Sequence, residues 1–419
     1  MSKRFEQIDP RSARLKFPVA EVARLWTHCG NGPKSGDFGY RGMLALSVLV
    51  ILPIVLGSPL FAAESPGAKN WPLYRGDRQL QGVAHTTLPE RPEVLWEFEA
   101  EDSAFEAAAV IDSGSVYLGD ADGLFYAIDL ETGRPRWTFE TELGFTAPAA
   151  VREGRVYVGD IEGVFFCLDS ATGAKLWSFQ SEAEINGAPN FYQDQVLFGS
   201  QDATLYALDA RSGELVWKHQ IEDQIRCAPT IAEGHAFLAG CDGRLHIIDL
   251  SQGKAIAQVP IGGPTGSTPA ALGDRVFFGA ESGTFFGINW REARVDWKYQ
   301  DPRRAQPFRS SAAVTDELVV FGGRDKFVHA VDPQTGELLW TFPTRGRVDS
   351  SPVLVGDRLF VGSADGRLYA LDKQTGEKRW EYDAGRDFVA SPAVAAGRLV
   401  IGATDGTLYC FGAKGERSP

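Results

Sequence analysis

The stretch VGSADGRLYALDKQTGEKRW, Val361 to Trp380, decides the fold, because its pattern recurs along most of the chain. The core of the pattern reads aromatic-Ala-aliphatic-Asp-x-x-Thr-Gly-x-x-x-Trp. Close copies are YAIDLETGRPRW (126 to 137), FCLDSATGAKLW (166 to 177), YALDARSGELVW (206 to 217) and HAVDPQTGELLW (329 to 340). Weaker copies are HIIDLSQGKAIA (246 to 257) and FGINWREARVDW (286 to 297), and a last copy beginning at Tyr409 stops short. The Asp position recurs every 40 residues, apart from one step of 43, at 129, 169, 209, 249, 289, 332, 372 and 412. A fixed period of this length predicts eight repeated structural units.

Each unit contains four short segments of strand composition that are separated by turn residues. In the unit at 349–383 the predicted strands are Ser351 to Val355, Arg358 to Gly362, Arg367 to Asp372 and Lys378 to Tyr382. Four antiparallel strands in a repeat of this length are typical of a β-propeller blade. A linear solenoid is the competing repeat architecture.

The two ends of the repeat region favour a closed ring. The eighth copy supplies only three strands, whereas VLWEFEA, Val94 to Ala100, reads as a fourth strand with nothing before it. Pairing the two would complete one blade and close the ring, which hides most sheet edges. We therefore predict an all-β protein, an eight-bladed β-propeller of four-stranded antiparallel blades over residues 91–412. The N-terminal outer strand would lie in the C-terminal blade, and residues 413–419 would form a tail.

The repeat resembles that of the pyrroloquinoline-quinone-like (quinoprotein-type) propellers over about 320 residues. In that family the Trp of the outer strand docks against the Thr-Gly turn region and joins adjacent blades. Ala257 replaces this Trp in the fourth blade, so we expect that contact to be the loosest. WPLYRGD, Trp71 to Asp77, is similar to the start of exported bacterial members and falls in a predicted linker at 64–90. The resemblance implies a structural role for Trp96, Trp137, Trp177, Trp217, Trp297, Trp340 and Trp380.

Composition and charge exclude several classes of function. The chain has 42 basic and 55 acidic residues, a net charge of −13, and 44% hydrophobic residues, enough to bury a core. An acidic chain is unsuited to nucleic acid or to an anionic membrane surface. Residues 1–63 carry eight Lys/Arg and four Asp/Glu, so residues 64–419 carry a net charge of −17. We expect a monomer with no nucleic-acid partner.

The N-terminal region reads as an export segment. Residues 1–41 are basic and without periodicity, and we expect them to be disordered. Residues 42–63 contain no charge, with a strongly apolar part from Met43 to Leu56 and small residues at Ala62 and Ala63. This pattern predicts a signal peptide cleaved near Ala63. A retained membrane anchor is the alternative, and both place the body in the periplasm or elsewhere outside the cytoplasm.

Motifs for catalysis are missing from the sequence. The family that the repeat resembles includes quinone-dependent dehydrogenases, which need a calcium site and a catalytic Asp and often have adjacent cysteines. This chain has no adjacent cysteines. His246 and His329 occupy the aromatic position of the repeat and read as packing residues. The histidines lack the paired spacing of a zinc site. We therefore predict no catalytic residue, no metal and no cofactor; pyrroloquinoline quinone and calcium belong to the alternative function alone.

Four cysteines follow the export segment, where an oxidising compartment would allow pairing. Cys227 begins the first strand of the fourth blade and Cys241 ends the second. If Ala232 faces Ala236 in the ladder, these two cysteines face each other, and we hypothesise a disulfide between them. Cys167 and Cys410 replace the small Ala of the third strand and should be buried and free.

The loops that join each fourth strand to the next blade lie on one face of a propeller, and their charges form two groups. The acidic arc comprises Glu101, Asp102, Glu106, Glu140, Glu142, Glu182, Glu184, Glu222 and Asp223. The arginine arc comprises Arg303, Arg304, Arg309, Arg345, Arg347 and Arg386, with Arg324 and Lys326 from a turn of the sixth blade. We predict that the arginine arc binds an anionic ligand or an acidic partner segment, with Phe308 and Phe388 as apolar contacts. The alternative is solvated charge neutralised by neighbours such as Asp349 and Asp387.

Taken together, the sequence predicts an exported, non-catalytic propeller that acts as a protein- or ligand-binding scaffold in the cell envelope. The resemblance extends to the propeller lipoproteins of the outer-membrane β-barrel assembly machinery. Those proteins are lipid-anchored, and here no Cys follows the apolar run at a lipidation position. The partner is an unidentified envelope protein or an anionic ligand. The alternative function is a quinoprotein-type dehydrogenase or a degenerate quinone- or sugar-binding propeller.

Overall fold

The computed structural model describes residues 68–100, 103–302 and 304–414, and these residues form eight β-sheets around a central channel. The residues of the predicted export segment lie outside the described part of the chain. Within the described part, no helix is long and apolar enough to cross a membrane. The all-β, eight-bladed propeller predicted from the repeat is confirmed.

Each blade is an antiparallel sheet whose strands follow one another from the channel outward. Blades 1 to 4 contain β3 Val110–Asp112, β4 Ser115–Gly119, β5 Leu124–Asp129, β6 Pro135–Glu140; β7 Ala150–Arg152, β8 Arg155–Gly159, β9 Val164–Asp169, β10 Lys175–Gln180; β11 Asn190–Tyr192, β12 Gln195–Ser200, β13 Thr204–Asp209, β14 Leu215–Gln220; β15 Thr230–Ala232, β16 His235–Ala239, β17 Arg244–Asp249 and β18 Lys254–Pro260.

Blades 5 to 8 repeat this arrangement, and two N-terminal strands join the last two blades. β1 Val83–Ala84 pairs in parallel with β27 of blade 7, and β2 Glu93–Glu99 is the outer strand of blade 8. The remaining strands are β19 Ala270–Leu272, β20 Arg275–Gly279, β21 Phe285–Asn289, β22 Arg294–Tyr299; β23 Ala313–Val314, β24 Val319–Gly322, β25 Phe327–Val331, β26 Leu338–Pro343; β27 Val353–Val355, β28 Arg358–Gly362, β29 Arg367–Asp372, β30 Lys378–Asp383; β31 Ala393–Ala395, β32 Arg398–Gly402 and β33 Thr407–Gly412.

The ring closes as the half-blades at the two ends of the repeat region predicted. β2 pairs antiparallel with β33, from Glu93 opposite Gly412 to Glu99 opposite Thr407. Blade 8 therefore joins chain segments that are more than 300 residues apart in sequence. Closure in this way removes the free sheet edge that an open array would leave at each end.

The segment before the first blade was predicted to be a linker, but it follows the inner strands around the ring. Its backbone carbonyls accept hydrogen bonds from the inner strands of six blades, at 2.8–2.9 Å, and Trp71 pairs with Ile111 of a seventh. The six pairs of carbonyl and amide are Ala68 with Ala396, Pro72 with Val151, Arg78 with Ile231, Gln79 with Ala271, Gln81 with Val314, and Gly82 with Leu354. The short WPLYRGD motif is therefore part of the propeller and lies across one end of its channel.

Candidate functional site

The channel opens on the loop face in a small polar funnel with a volume of about 160 Å³. One residue from each blade junction, at the same point of the repeat, forms its rim. These eight residues are Glu106, Thr146, Asn186, Arg226, Gly266, Arg309, Asp349 and Val389. Two residues further along the chain, Ala, Pro, Ser or Thr side chains of seven blades line the wall. The rim positions differ from blade to blade, so the chemistry of the funnel is not repeated around the ring.

The N-terminal segment fills the bottom of this funnel. The Tyr74 hydroxyl lies 3.0 Å from the Ser351 hydroxyl and 3.3 Å from that of Ser311. Behind it, Arg75 is 1% exposed and donates hydrogen bonds to the backbone carbonyls of Ser351 (3.1 Å), Ala312 (3.0 Å) and Pro352. Burial lowers the pKa of Arg75 to about 10, and the guanidinium remains charged at neutral pH. A buried charge needs such hydrogen bonds, and here they fix the N-terminal segment to blades 6 and 7.

Much of the arginine arc is neutralised by neighbouring carboxylates. Arg324 donates two hydrogen bonds to Asp349, at 2.9 and 2.8 Å, and these bonds raise its pKa. Arg347 donates to the same carboxylate at 3.0 Å. The arc also contains ion pairs between Arg309 and Glu281 (2.7 Å) and between Arg386 and Asp405 (3.2 Å). Local neutralisation, the alternative considered for this arc, therefore applies to these four arginines.

The remaining predicted binding residues do not form one surface. Phe308 and Phe388 are 1% and 0% exposed and belong to the core, so neither can contact a partner directly. Each packs closely against a glycine of the blade before it: a Cβ at Gly279 would lie 2.4 Å from that of Phe308, and one at Gly362 would lie 2.6 Å from that of Phe388. Arg303 lies outside the described residues. Arg304, Lys326 and Arg345 are the members of the arc that are both exposed and without an ion pair among the described residues.

The acidic arc has the opposite character. Its described carboxylates are all exposed, at Glu106, Glu140, Glu142, Glu182, Glu184, Glu222 and Asp223. Glu222 pairs with Arg244 at 2.7 Å, and Glu184 accepts a hydrogen bond from Gln201 at 2.6 Å. The structure shows no ion pair for the others within the described residues. Glu101 and Asp102 lie outside these residues. The loop face therefore presents uncompensated negative charge over blades 1 to 4.

The Trp residues of the outer strands contact the turn of the next blade, as the resemblance implied. A Cβ built at Gly133 would lie 2.7 Å from the Trp96 ring, so only Gly fits there, and the Trp96 Nε1–H donates to the Leu130 carbonyl at 2.9 Å. A β-bulge before each of these Trp residues shifts the register of the third and fourth strands, as between Val94 and Trp96. The same close contact with a turn Gly is made by Trp137, Trp177, Trp217, Trp297 and Trp340. Trp380 instead packs beside Phe411 in blade 8.

The junction between blades 4 and 5, expected to be the loosest, is filled by a Trp of blade 5 instead of one from blade 4. Ala257 leaves the Trp space empty, and the facing turn has Ala293 where other turns have Gly. Trp290 is 5% exposed, and its ring centroid lies 5.3 Å from that of Phe237 in blade 4. Its Nε1–H donates to the Gly273 carbonyl at 3.0 Å. An indole from blade 5 thus replaces the missing indole of blade 4.

The hypothesised disulfide rests on a register that the structure does not have. Ala232 faces His235 rather than Ala236, which shifts Cys227 away from the position opposite Cys241. Both thiols are free in the structure. Cys167 and Cys410 are buried and free, as predicted, and burial raises the pKa of the Cys410 thiol to about 12. The described thiols are therefore part of the packing.

The fold and the Trp-to-turn contacts define a PQQ-like β-propeller whose channel is closed at one end by its own N-terminal segment. A family model described as outer membrane protein assembly factor BamB matches residues 122–269, 225–341 and 324–418, and the chain belongs to this family. None of the curated proteins matches the chain.

Solved structures with the same fold come from proteins of different function. BamB from Moraxella catarrhalis is 18% identical, with a TM-score of 0.66, and the match covers 77% of this chain and 100% of that one. The computationally designed Ika8 protein is 20% identical with a TM-score of 0.69, covering 77% of this chain and all of the other. Quinohemoprotein alcohol dehydrogenase from Comamonas testosteroni is 16% identical with a TM-score of 0.69, covering 85% and 82%. At these identities the comparisons establish the fold.

Proposed function

We propose that this chain is a non-catalytic scaffold of the cell envelope that binds a partner protein on its loop face. Membership of the family described as an outer membrane protein assembly factor supports a role in assembly rather than in turnover. A full-length match to BamB from Moraxella catarrhalis agrees with this, although that similarity is one of fold. Export by residues 42–63, cleaved or retained as an anchor, is part of the proposal.

The observation that carries the proposal is the filled channel. Ligand and cofactor pockets measure about 300–1,000 Å³, whereas the funnel above Tyr74 measures about 160 Å³. Of the carboxylates on its rim, Asp349 is held by Arg324 and Arg347 and is not free to coordinate calcium. The residues at the channel mouth therefore do not fit a quinone with its calcium ion, and we propose that the chain acts without either.

The acidic arc is the better candidate for the binding surface, because its charge is exposed and largely unpaired. A partner segment rich in Lys and Arg would be complementary to it. The arginine arc offers an acidic partner only Arg304, Lys326 and Arg345, since its other described arginines are already paired. We therefore place the partner over blades 1 to 4.

Capture of partners from the envelope fraction tests this assignment. Glu140→Gln, Glu142→Gln, Glu182→Gln and Glu184→Gln combined should remove the partner that the unaltered chain retains at low salt. Arg304→Gln with Arg345→Gln, a matched charge removal on the other half of the face, should leave capture unchanged. Equal capture by both variants would contradict the binding surface.

A second measurement tests the non-catalytic part of the proposal. Purified protein mixed with pyrroloquinoline quinone and Ca²⁺ should show no change in the quinone absorbance and no dye-linked alcohol oxidation. A bound chromophore with turnover would replace the scaffold by the dehydrogenase alternative, whatever the capture experiment gave.

A further inference from the structure

Three side chains that can ligate a metal meet between blades 5 and 6, in a place that the scaffold function does not use. Asp301 follows the outer strand of blade 5, and Asp325 and His329 belong to blade 6. One carboxylate oxygen of each Asp and one ring nitrogen of the His lie within 4.8 Å of one another. The three residues are 4%, 2% and 0% exposed, respectively. This is therefore a buried cluster and not a group of surface acids.

The repeat shows what is unusual about Asp325 and His329. In blade 7 the equivalent pair is Asp365 and Tyr369, whose hydroxyl donates to the carboxylate at 2.8 Å. In blade 6 an imidazole takes the place of the phenol, and its Nε2 lies 3.2 and 3.0 Å from the two oxygens of Asp325. The substitution exchanges a group that only donates to the carboxylate for one that can ligate a metal beside it.

Asp301 has no acidic counterpart elsewhere in the ring. It lies two residues after Tyr299, which pairs with Phe285, and this register defines the equivalent position in every other blade. Those positions hold Ala100, Thr141, Ser181, Ile221, Ile261, Thr344 and Ala384. The three extra residues that break the 40-residue period lie directly after Asp301, between it and Phe308. The one loop that departs from the repeat thus brings a second carboxylate to the His–Asp pair.

The hydrogen bonding of the cluster points to a cation. Oδ1 of Asp325 accepts the Phe327 backbone N–H at 3.1 Å. The buried Oδ2 makes no hydrogen bond of regular geometry, and it lies 3.0 Å from Nε2 of His329. A cation held between this oxygen and the imidazole would stabilise the buried carboxylate. The Nδ1 of His329 lies 3.0 Å from the Tyr299 hydroxyl. Ligating histidines characteristically use their second nitrogen in a hydrogen bond of this kind, which orients the ring.

Blade 4 contains the same His–Asp pair without these additions. His246 Nε2 lies 2.8 Å from Asp242, but its buried Nδ1 has no hydrogen-bond partner. Ile221 stands where blade 5 has Asp301, and His219 stands where blade 5 has Tyr299. The chain therefore carries an internal control, in which the pair is present and the third ligand is not.

We propose that Asp301, Asp325 and His329 bind one divalent transition-metal ion, with Zn²⁺ the best fit, and that the ion links the insertion loop of blade 5 to blade 6. One imidazole and two carboxylates suit Zn²⁺ better than Ca²⁺ or Mg²⁺, which prefer oxygen ligands alone. Bonds of about 2.0–2.2 Å to a tetrahedral ion separate its ligand atoms by about 3.4 Å. The distances of 3.0–3.2 Å between His329 and Asp325, and the limit of 4.8 Å for all three ligand atoms, lie on either side of this value, so small shifts suffice. A cavity of about 190 Å³, lined by Asp301, Arg304, Asp325 and Phe327, leaves room for a water as the fourth ligand.

Titration of the full-length chain with Zn²⁺ alone, after removal of metals by a chelator, tests the proposal. Calorimetry and native mass spectrometry should report one ion that is lost in Asp301→Thr and in His329→Tyr. Both replacements are residues that the repeat itself uses at these positions, at Thr344 and Tyr369, so the blades should still fold. Loss of an outer-shell partner costs about 10–100-fold in metal affinity, so Tyr299→Phe should weaken binding by about 10-fold.

The matched control is His246→Tyr in blade 4, which should leave Zn²⁺ binding unchanged. Zn²⁺ taken up elsewhere in the chain persists in every variant and is subtracted. Uptake that is absent in the unaltered chain, or equal in the unaltered chain, Asp301→Thr and His329→Tyr, overturns the proposal. A loss caused by His246→Tyr alone would do the same. Circular dichroism of each variant separates loss of the site from loss of the fold.

Discussion

The two halves of the loop face differ in how their charges are compensated. In the half formed by blades 5 to 8, Asp349 alone accepts hydrogen bonds from two arginines, and Arg309 and Arg386 have carboxylate partners of their own. In the half formed by blades 1 to 4, Glu140, Glu142 and Glu182 are exposed, and the structure shows no ion pair for them within the described residues. Both halves carry charged loops in the sequence, but four of the six described arginines of the arc are paired, whereas most of the described carboxylates over blades 1 to 4 are not. Predicting a binding surface therefore requires the partners of the charges as well as their order along the chain.

The junction between these halves gives the largest expected effect. Trp290 joins blade 5 to blade 4 where the repeat lacks its own Trp, and its ring is almost completely buried. Trp290→Ala should lower the free energy of unfolding by about 3–5 kcal/mol, the range for removing a buried Trp. Trp340→Ala, at a regular junction, should cost a similar amount. Urea denaturation followed by fluorescence measures both.

A rescue variant shows whether Trp290 replaces the missing indole. Ala257→Trp with Ala293→Gly gives this junction the pair of residues found at the others, where the Trp ring lies against the Gly Cα. These changes should recover part of the stability lost in Trp290→Ala. A cost below about 1 kcal/mol for Trp290→Ala, or no recovery on rescue, would mean that the two halves are joined by other contacts.

The sequence was sufficient for the parts of the molecule that repeat. Strand positions, ring closure and the Trp contacts all follow from a local pattern, and the predicted strands Arg358–Gly362 and Arg367–Asp372 match the structure at both ends. The place of the N-terminal segment in the channel was not predicted, because Arg75 belongs to no repeat and its hydrogen-bond partners are more than 230 residues away in the chain. The disulfide hypothesis failed because a shift of one residue in a short hairpin reverses which side chains face each other.

The same reasoning explains the misreading of the candidate site. Phe308 and Phe388 stand in charged loops, and in the sequence alone they resemble exposed anchors. In the structure each of them fills the space beside a glycine in the second strand of the preceding blade, at Gly279 and Gly362. The cluster of Asp301, Asp325 and His329 could not be predicted from the sequence, because Asp301 and His329 belong to different blades and form no motif of fixed spacing. The one available signal was that an acidic residue, Asp301, directly precedes the three extra residues of the 43-residue step.

Asp349→Asn should leave Arg324 and Arg347 without their carboxylate partner. Blades 5 to 8 would then expose unpaired positive charge, as blades 1 to 4 expose unpaired negative charge. The Asp349 side chain is 16% exposed and accepts hydrogen bonds from Arg324 and Arg347. A hydrogen bond to a charged group contributes about 1.5–3 kcal/mol, and we expect a loss of unfolding free energy in this range. The freed arginines should also increase retention on a cation exchanger. Glu182→Gln, an exposed and unpaired charge, should change stability by less than about 0.5 kcal/mol.

The smallest expected effect concerns a turn that both halves share, the Asp-x-x-Thr turn between the third and fourth strands. Arg136 and the Thr132 hydroxyl and amide hold the pKa of Asp129 at about 2. The Thr375 amide and Arg379 hold that of Asp372 at about 2. Each folded-state pKa is lowered, so the stability it contributes is present above pH 4 and is lost as the pH falls through about 2.

The order of these causes predicts a difference between the halves. Arg136 is the largest cause at Asp129, so Arg136→Ser should raise that pKa from about 2 towards 3.8. At Asp372 the backbone N–H of Thr375 is the largest cause, so Arg379→Ser should raise the pKa by less. NMR titration of the two side-chain carboxyl carbons measures both values in the same samples. Equal shifts would mean that the arginine is the main cause of the lowered pKa in both turns. The backbone hydrogen bond from Thr375 would then contribute less to the pKa of Asp372 than its geometry indicates.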